Sequence, residues 1–212
     1  MSNLEFIYKR HSVRRFKEDA VPVEDIKKMI EAATYAPSGK NVQNWHFVVI
    51  TNKEKIEQIA KIIERKNAEL ADALKNEAMK KSFTKFLRFS TVFRNAPVLV
   101  LVYTETSYKP TGLDVLKEIG ASTEEIHNLS KTNPAIQNIG AAMENLMLAA
   151  ANMGYGTCWM TSSNYAAKEI EAFIGLDKEN YFLAAMTPIG VPSGELKSPP
   201  RKSVEEVLTI IE

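Results

Sequence analysis

Between Lys9 and Lys17 the chain reads KRHSVRRFK: five basic side chains, a histidine and a serine, with no acid before Glu18. Guanidinium groups, a hydroxyl and backbone N–H groups that converge without competing acids are what a phosphate monoester dianion requires. Arg10, Ser12 and Arg14 lie two apart, so an extended backbone would turn all three to one face. Each charge-assisted hydrogen bond in such a socket contributes about 1.5–3 kcal/mol, so two or three would hold a phosphorylated cofactor. A solvated basic arm is the plainer reading of the same residues.

A second stretch, APSGKNVQNWHFVVI (36–50), runs from a helix-stopping signal through a polar loop into an apolar strand. Ser38, Asn41, Gln43 and Asn44, together with Gly39, stand at the mouth of that strand. Amides and a glycine there suit recognition of a planar, hydrogen-bonding heterocycle, and a hydrogen-bonded connector would use the same residue types.

Other chemical signatures fail on order or spacing. GYGTCW (154–159) opens like a dinucleotide fingerprint but lacks the third glycine and follows a helix where that motif follows a strand. SGKN (38–41) lacks the rest of a phosphate-binding P-loop. His11, His46 and His127 show no metal-ligand spacing, so no metal site is expected. SFTK (82–85) matches a serine–lysine acyl-transfer pattern, but Phe83 and Phe86 beside it read as an ordinary helix. Cys158 reads as a small core residue. With no nucleophile or base advertised, no catalytic side chain is assigned; any chemistry would be carried by a bound cofactor.

The whole chain sets limits on these readings. Its 212 residues are nearly neutral, with 27 Lys and Arg against 26 Asp and Glu. A broad nucleic-acid-binding face is therefore not expected, and an anion site has to be local. One cysteine excludes an internal disulfide framework and fits a reducing compartment. MSNLEFIYKR has no signal-peptide core, and the longest apolar run (96–103) is far too short to span a bilayer. The expectation is a soluble cytoplasmic protein.

The elements that would position these residues follow from periodicity. Val23, Ile26, Met29, Ile30 and Ala33 have helical spacing, and so do Ile56, Ile59, Ile63, Leu70 and Leu74, with an interruption at Asn67. Phe83, Phe86, Leu87 and Phe93 mark a further helical stretch. WHFVVI (45–50) and APVLVLVY (96–103) read as buried strands, the second central. Residues 104–132 form a polar excursion with one short helix over 113–119. Asn133 and Pro134 start a long helix that ends near Met153, TCWM (157–160) starts a strand, 164–173 is helical and 181–189 is a strand. From Val191 the chain turns extended, and Val207 to Ile211 is apolar without a local partner. This order predicts a mixed sheet with helices on both faces.

Four blocks, RHSVRRF, AATYAPSGKNVQNWHFVVI, NIGAAMENLMLAAANMGYGTCWM and IGVPSGE…PPRKSVEEV, fall in order across nearly the whole chain. Together they resemble the nitroreductase superfamily, FMN-dependent homodimeric oxidoreductases. The resemblance implies an α+β fold: a single domain over residues 1–212, three-layer α/β/α with a mixed, largely antiparallel sheet. It implies a lid-like excursion at 104–132 and a tail over about 191–212 exchanged with the partner subunit.

On the same resemblance, Arg10 and Ser12 would meet the FMN phosphate, His11 would contribute mainly backbone, and Arg14 would reach the ribityl chain or the pyrimidine end of the ring. Pro37, Ser38, Gly39 and Asn41 would approach the flavin from the other subunit. Arg201 would join the phosphate, with Lys202 a second claimant. Met160 and Thr161 would pass the N5 edge and offer backbone N–H groups. The implied activity is ping-pong hydride transfer from NADH or NADPH through FMN to a small acceptor such as a nitroaromatic or quinone, with no nucleic acid or membrane as partner. Dehalogenation, dehydrogenation, flavin breakdown, or flavin binding without turnover are the alternatives.

Overall fold

The computed structural model describes residues 4–212; residues 1–3 of the expected domain lie outside it. A short helix α1 (Glu5–Tyr8) precedes the basic segment, and α2 (Val23–Thr34) leads through a 3₁₀ turn at Gly39–Asn41 into β1 (Trp45–Ile50). Helices α3 (Lys53–Asp72) and α4 (Glu77–Ser90) follow, then β2 (Val98–Glu105). The excursion holds α5 (Leu113–Glu118) and α6 (Thr123–Ser130) before the long α7 (Pro134–Asn152). The chain closes its sheet with β3 (Gly156–Thr157), α8 (Ala167–Ile174) and β4 (Tyr181–Gly190).

The strands lie in the order β1-β2-β4-β3, every neighbouring pair antiparallel. Among the described residues, the one parallel feature is the bridge of Ser12 to Thr157. The continuous apolar run of β2 has the cause expected from its sequence, burial on both faces. Its even residues Val98, Val100 and Val102 pack with α2 and α7 residues such as Met29, Met143 and Leu146. Its odd residues Leu99, Leu101 and Tyr103 pack with Ile56, Ile59, Ile63 and Ile170 from α3 and α8. Because successive strand side chains alternate between faces, one strand joins both helical layers.

A bulge interrupts the β2–β4 register between Val102 and Tyr103. Side chains satisfy the backbone groups there: the Asn164 amide donates to the Leu183 and Ala184 carbonyls at 3.2 and 2.8 Å, and Glu171 accepts from the Leu183 N–H at 2.9 Å. The bulge is thus a built feature, with side chains taking up the Leu183 N–H and the Leu183 and Ala184 carbonyls.

Four expectations need correction. Helix α3 is not interrupted at Asn67; the side chain is 2% exposed and donates to the Tyr165 hydroxyl at 3.3 Å, so a polar residue continues the buried stripe. The excursion carries a second helix, α6, whose Ser122–Glu125 capping box was legible as S-x-x-E but lies in a weakly apolar segment. The TCWM strand is laddered only at Gly156 and Thr157, then leaves the sheet and touches it again at the Met160–Met186 bridge. Phe93, expected on α4, is fully buried in the turn beyond it. Among the described residues, no helix is long and apolar enough to cross a membrane.

Candidate functional site

The basic segment is an added rail at the β3 edge of the sheet. Ser12 bridges Thr157, and the Val13 N–H donates to the Thr157 carbonyl at 2.7 Å. Further along it the start of the tail is laid down: Lys17 N–H to Val191 O at 2.9 Å, and Ser193 N–H to Arg15 O at 3.0 Å. Val13 points inward and is 5% exposed, while Ser12 and Arg14 are exposed, the alternation an extended segment dictates. The approach to β3 requires glycine at 156: a Cβ there would stand 2.6 Å from the Val13 Cβ.

Arg10, His11 and Arg201 line one cavity of about 380 Å³, together with Glu144 and Ser198. The His11 ring is hydrogen-bonded through Nδ1 to the Ser198 hydroxyl at 2.8 Å. Its side chain ties the tail beside the basic segment. Arg10 Nε is paired with Glu144 Oε1 at 3.3 Å. Arg14 Nη1 donates to the Ser12 carbonyl at 3.2 Å, so Arg14 folds back along its own segment and neither it nor Ser12 lines the cavity. Burial pushes the Cys158 thiol up while Arg14 and Arg10 pull it down, which places both guanidinium charges in reach of the strand that leaves β3. Two guanidiniums, an imidazole and a hydroxyl around one opening are a donor set that fits a phosphate monoester.

The 37–44 loop is held from beneath by a chain of amides. The Gly39 N–H donates to Asn138 Oδ1 (3.3 Å), Asn138 Nδ2 to Asn44 Oδ1 (2.7 Å), and Asn44 Nδ2 to the Thr104 hydroxyl (2.6 Å) and the Ala135 carbonyl (3.1 Å). Asn44 is therefore not available to a heterocycle, as the sequence reading had it; it is 3% exposed and positions the loop. Ser38 accepts from the Gln43 N–H at 3.1 Å, and Pro37, Gly39 and Asn41 are exposed. Lys40, Asn41 and Gln43 all have φ between 45° and 55°. Three departures into the left-handed region within four residues, all by non-glycine residues, mark a conformation that the surroundings impose. None of Pro37, Ser38, Gly39 and Asn41 lines the Arg10–Arg201 cavity.

The third expected group divides. Met160 is 4% exposed, and its N–H donates to the Met186 carbonyl at 2.9 Å, so it has no N–H to offer a cofactor. Thr161 is exposed, and among the described residues its N–H has no protein acceptor. Two residues escaped the sequence reading. Glu144 sits on the α7 stripe and carried no local signal. Tyr108, from the excursion, covers Gly39 so closely that a Cβ at position 39 would collide with its hydroxyl. Only the fold brings those two segments together. Among the described residues, no three His, Cys, Asp or Glu side chains cluster as a metal site.

Comparison with known proteins adds to this geometry. Residues 7–191 match the sequence model of the Nitroreductase family. A BluB-like flavoprotein from Clostridium difficile is 48% identical with a TM-score of 0.92, all of both chains being covered. An FMN-bound nitroreductase from Bacteroides fragilis, 24% identical over the whole of both chains, shares the fold with a TM-score of 0.72. Iodotyrosine deiodinase of Thermotoga neapolitana is 26% identical over 200 residues, 92% of this chain and 91% of that protein.

Proposed function

Because this chain belongs to the nitroreductase family, we propose that it is an FMN-dependent oxidoreductase that takes hydride from NADH or NADPH and delivers it to a small acceptor such as a nitroaromatic or quinone. The observation that carries this reading is the convergence of Arg10 and Arg201, from opposite ends of the chain, on one cavity with His11 and Ser198. Likeness to a chain described as a flavoprotein supports the same cofactor.

FMN, when bound, supplies a ring that accepts and releases hydride at N5; the remaining tasks fall to this chain. Arg10 and Arg201 hold the phosphate, with Ser12 on the neighbouring backbone. The unpartnered Thr161 N–H is the donor proposed for the N5 edge, and Arg14 the proposed positive charge for the pyrimidine end, where negative charge accumulates on reduction. Donor and acceptor use the same opening in turn, which is a ping-pong order. The test is direct: purified protein should be yellow, release FMN on denaturation, bleach with NADH or NADPH, and recolour with an acceptor. Colourless protein that takes up no FMN overturns the proposal.

We further propose a homodimer of single-domain subunits in the cytoplasm, a compartment in keeping with the lone buried thiol of Cys158. Loop 37–41 would serve the flavin of the second subunit and the tail would cross to it. Val207, Leu208, Ile210 and Ile211 are 53–92% exposed, an apolar run that needs a cover. A matching surface lies along the edge strand β1, a groove of about 400 Å³ lined by Val23, Ile26, Ile30 and Val49. Deleting residues 204–212 is expected to halve the mass measured by light scattering; a deletion variant that stays dimeric would show that the tail is not what joins the subunits.

A second reading rests on the likeness to iodotyrosine deiodinase: reductive removal of halide from an aromatic ring with the same cofactor. Halide release per NAD(P)H consumed separates it from nitro or quinone reduction.

A further inference from the structure

An acid in the middle of a phosphate site is unexpected, and Glu144 is one. Its carboxylate lines the same cavity as Arg10, His11 and Arg201, and it reduces the local excess of positive charge from two to one. Its geometry gives a reason for its presence. The carboxylate meets Arg10 at Nε, 3.3 Å away, and neither terminal nitrogen of Arg10 has a protein partner among the described residues. A guanidinium carries five N–H donors in a planar fork. Anchored at Nε, it has its two terminal nitrogens left for a ligand.

The anchor is itself rigid. Glu144 belongs to the 19-residue helix α7, between the buried Met143 and the buried Leu146 and Met147. Arg10 stands in a segment without regular structure just after α1, on a side chain with four rotatable torsions. Fixing the guanidinium before the anion arrives removes the ordering cost from the binding step. We propose that Glu144 is a positioning residue for the cofactor phosphate, holding Arg10 by Nε with its terminal nitrogens available to the anion. This inference rests on the reading that the cavity takes the FMN phosphate.

Titration calorimetry with FMN and with riboflavin on flavin-free protein tests it. Glu144→Ala should weaken FMN about ten-fold, since it relaxes one charge-assisted contact, and leave riboflavin binding unchanged. Glu144→Gln keeps an oxygen for the Nε–H and removes the charge, so FMN should bind at least as tightly as to the parent. In an Arg10→Ala background, Glu144→Ala should have no further effect. Tighter FMN binding by Glu144→Ala, equal losses for FMN and riboflavin, weaker FMN binding by Glu144→Gln, or additive losses with Arg10→Ala each overturn the positioning role. If Arg10→Ala weakens FMN and Glu144→Ala does not, only the role of Glu144 falls. If Arg10→Ala itself leaves FMN affinity unchanged, the phosphate reading of the cavity falls instead.

Discussion

Replacing Arg10 and Arg201 together with alanine is expected to lower FMN affinity by at least about 100-fold, while the protein stays folded. The size follows from two charge-assisted hydrogen-bonding groups, each contributing about 1.5–3 kcal/mol, taken at the lower end because the cavity is open to water. Arg10 is mostly covered, its side chain 19% exposed, and among the described residues the only ion pair lost with it is the one to Glu144, whose side chain is 44% exposed. Pairs of that kind contribute about 0–1 kcal/mol, so the melting temperature without cofactor should barely move. Riboflavin serves as the control, since it has the ring and the ribityl chain but no phosphate. The double variant should bind riboflavin as the parent does, so that the advantage of FMN over riboflavin disappears. FMN affinity within about three-fold of the parent would remove the phosphate from this cavity and, with it, the main support for the proposed function.

Gly156→Ala should have the second largest effect, on stability as well as on the site. The new Cβ would stand 2.6 Å from the Val13 Cβ and 2.6 and 2.7 Å from its two methyl groups. Val13 cannot swing aside freely, because it is β-branched and its N–H is held by the Thr157 carbonyl. Overpacking of this kind costs about 1–3 kcal/mol, a fall of roughly 4–8 °C in melting temperature for about 2 kcal/mol in a chain of this length. The displaced rail would carry Arg10 and Ser12 with it, so FMN affinity should fall too. Val13→Gly in the same chain removes the Cβ as well as both methyl groups, and the double variant should be more stable than the two single losses predict, by about 1 kcal/mol. A neutral Gly156→Ala, or strictly additive losses, would mean that the rail is not seated on β3 in this way.

Much of this architecture was legible because it is local. WHFVVI became a strand with the bounds read from its sequence, and Asn133 with Pro134 marked the start of α7. The continuous apolar run 96–103 announced a strand covered on both sides, which the structure places at Val98–Glu105. The three-layer arrangement and the largely antiparallel sheet expected from the family resemblance are those of the structure. What escaped depended on contacts between distant residues. Nothing around Asn67 said that Tyr165 would accept its amide, so a polar residue in an apolar stripe read as a break. Asn44 looked like a ligand-facing amide because Asn138 and Thr104, its partners, are 94 and 60 residues away. Met160 and Thr161 are neighbours with opposite fates, since only the bridge to Met186 decides whose N–H is taken. Glu144 could be placed on a helix face but not beside Arg10, whose charge it shares only in three dimensions.

The rail formed by residues 12–17 also has a consequence for timing. It leaves the ribosome well before its partners, Thr157 at one end of it and Val191 to Ser193 at the other. At about 5–20 residues per second, those partners are made on the order of ten seconds or more after it. The pairing, once available, closes loops spanning most of the chain, the slow kind of contact in folding. Any cofactor that needs both Arg10 and Arg201 is therefore acquired only after translation has passed the tail.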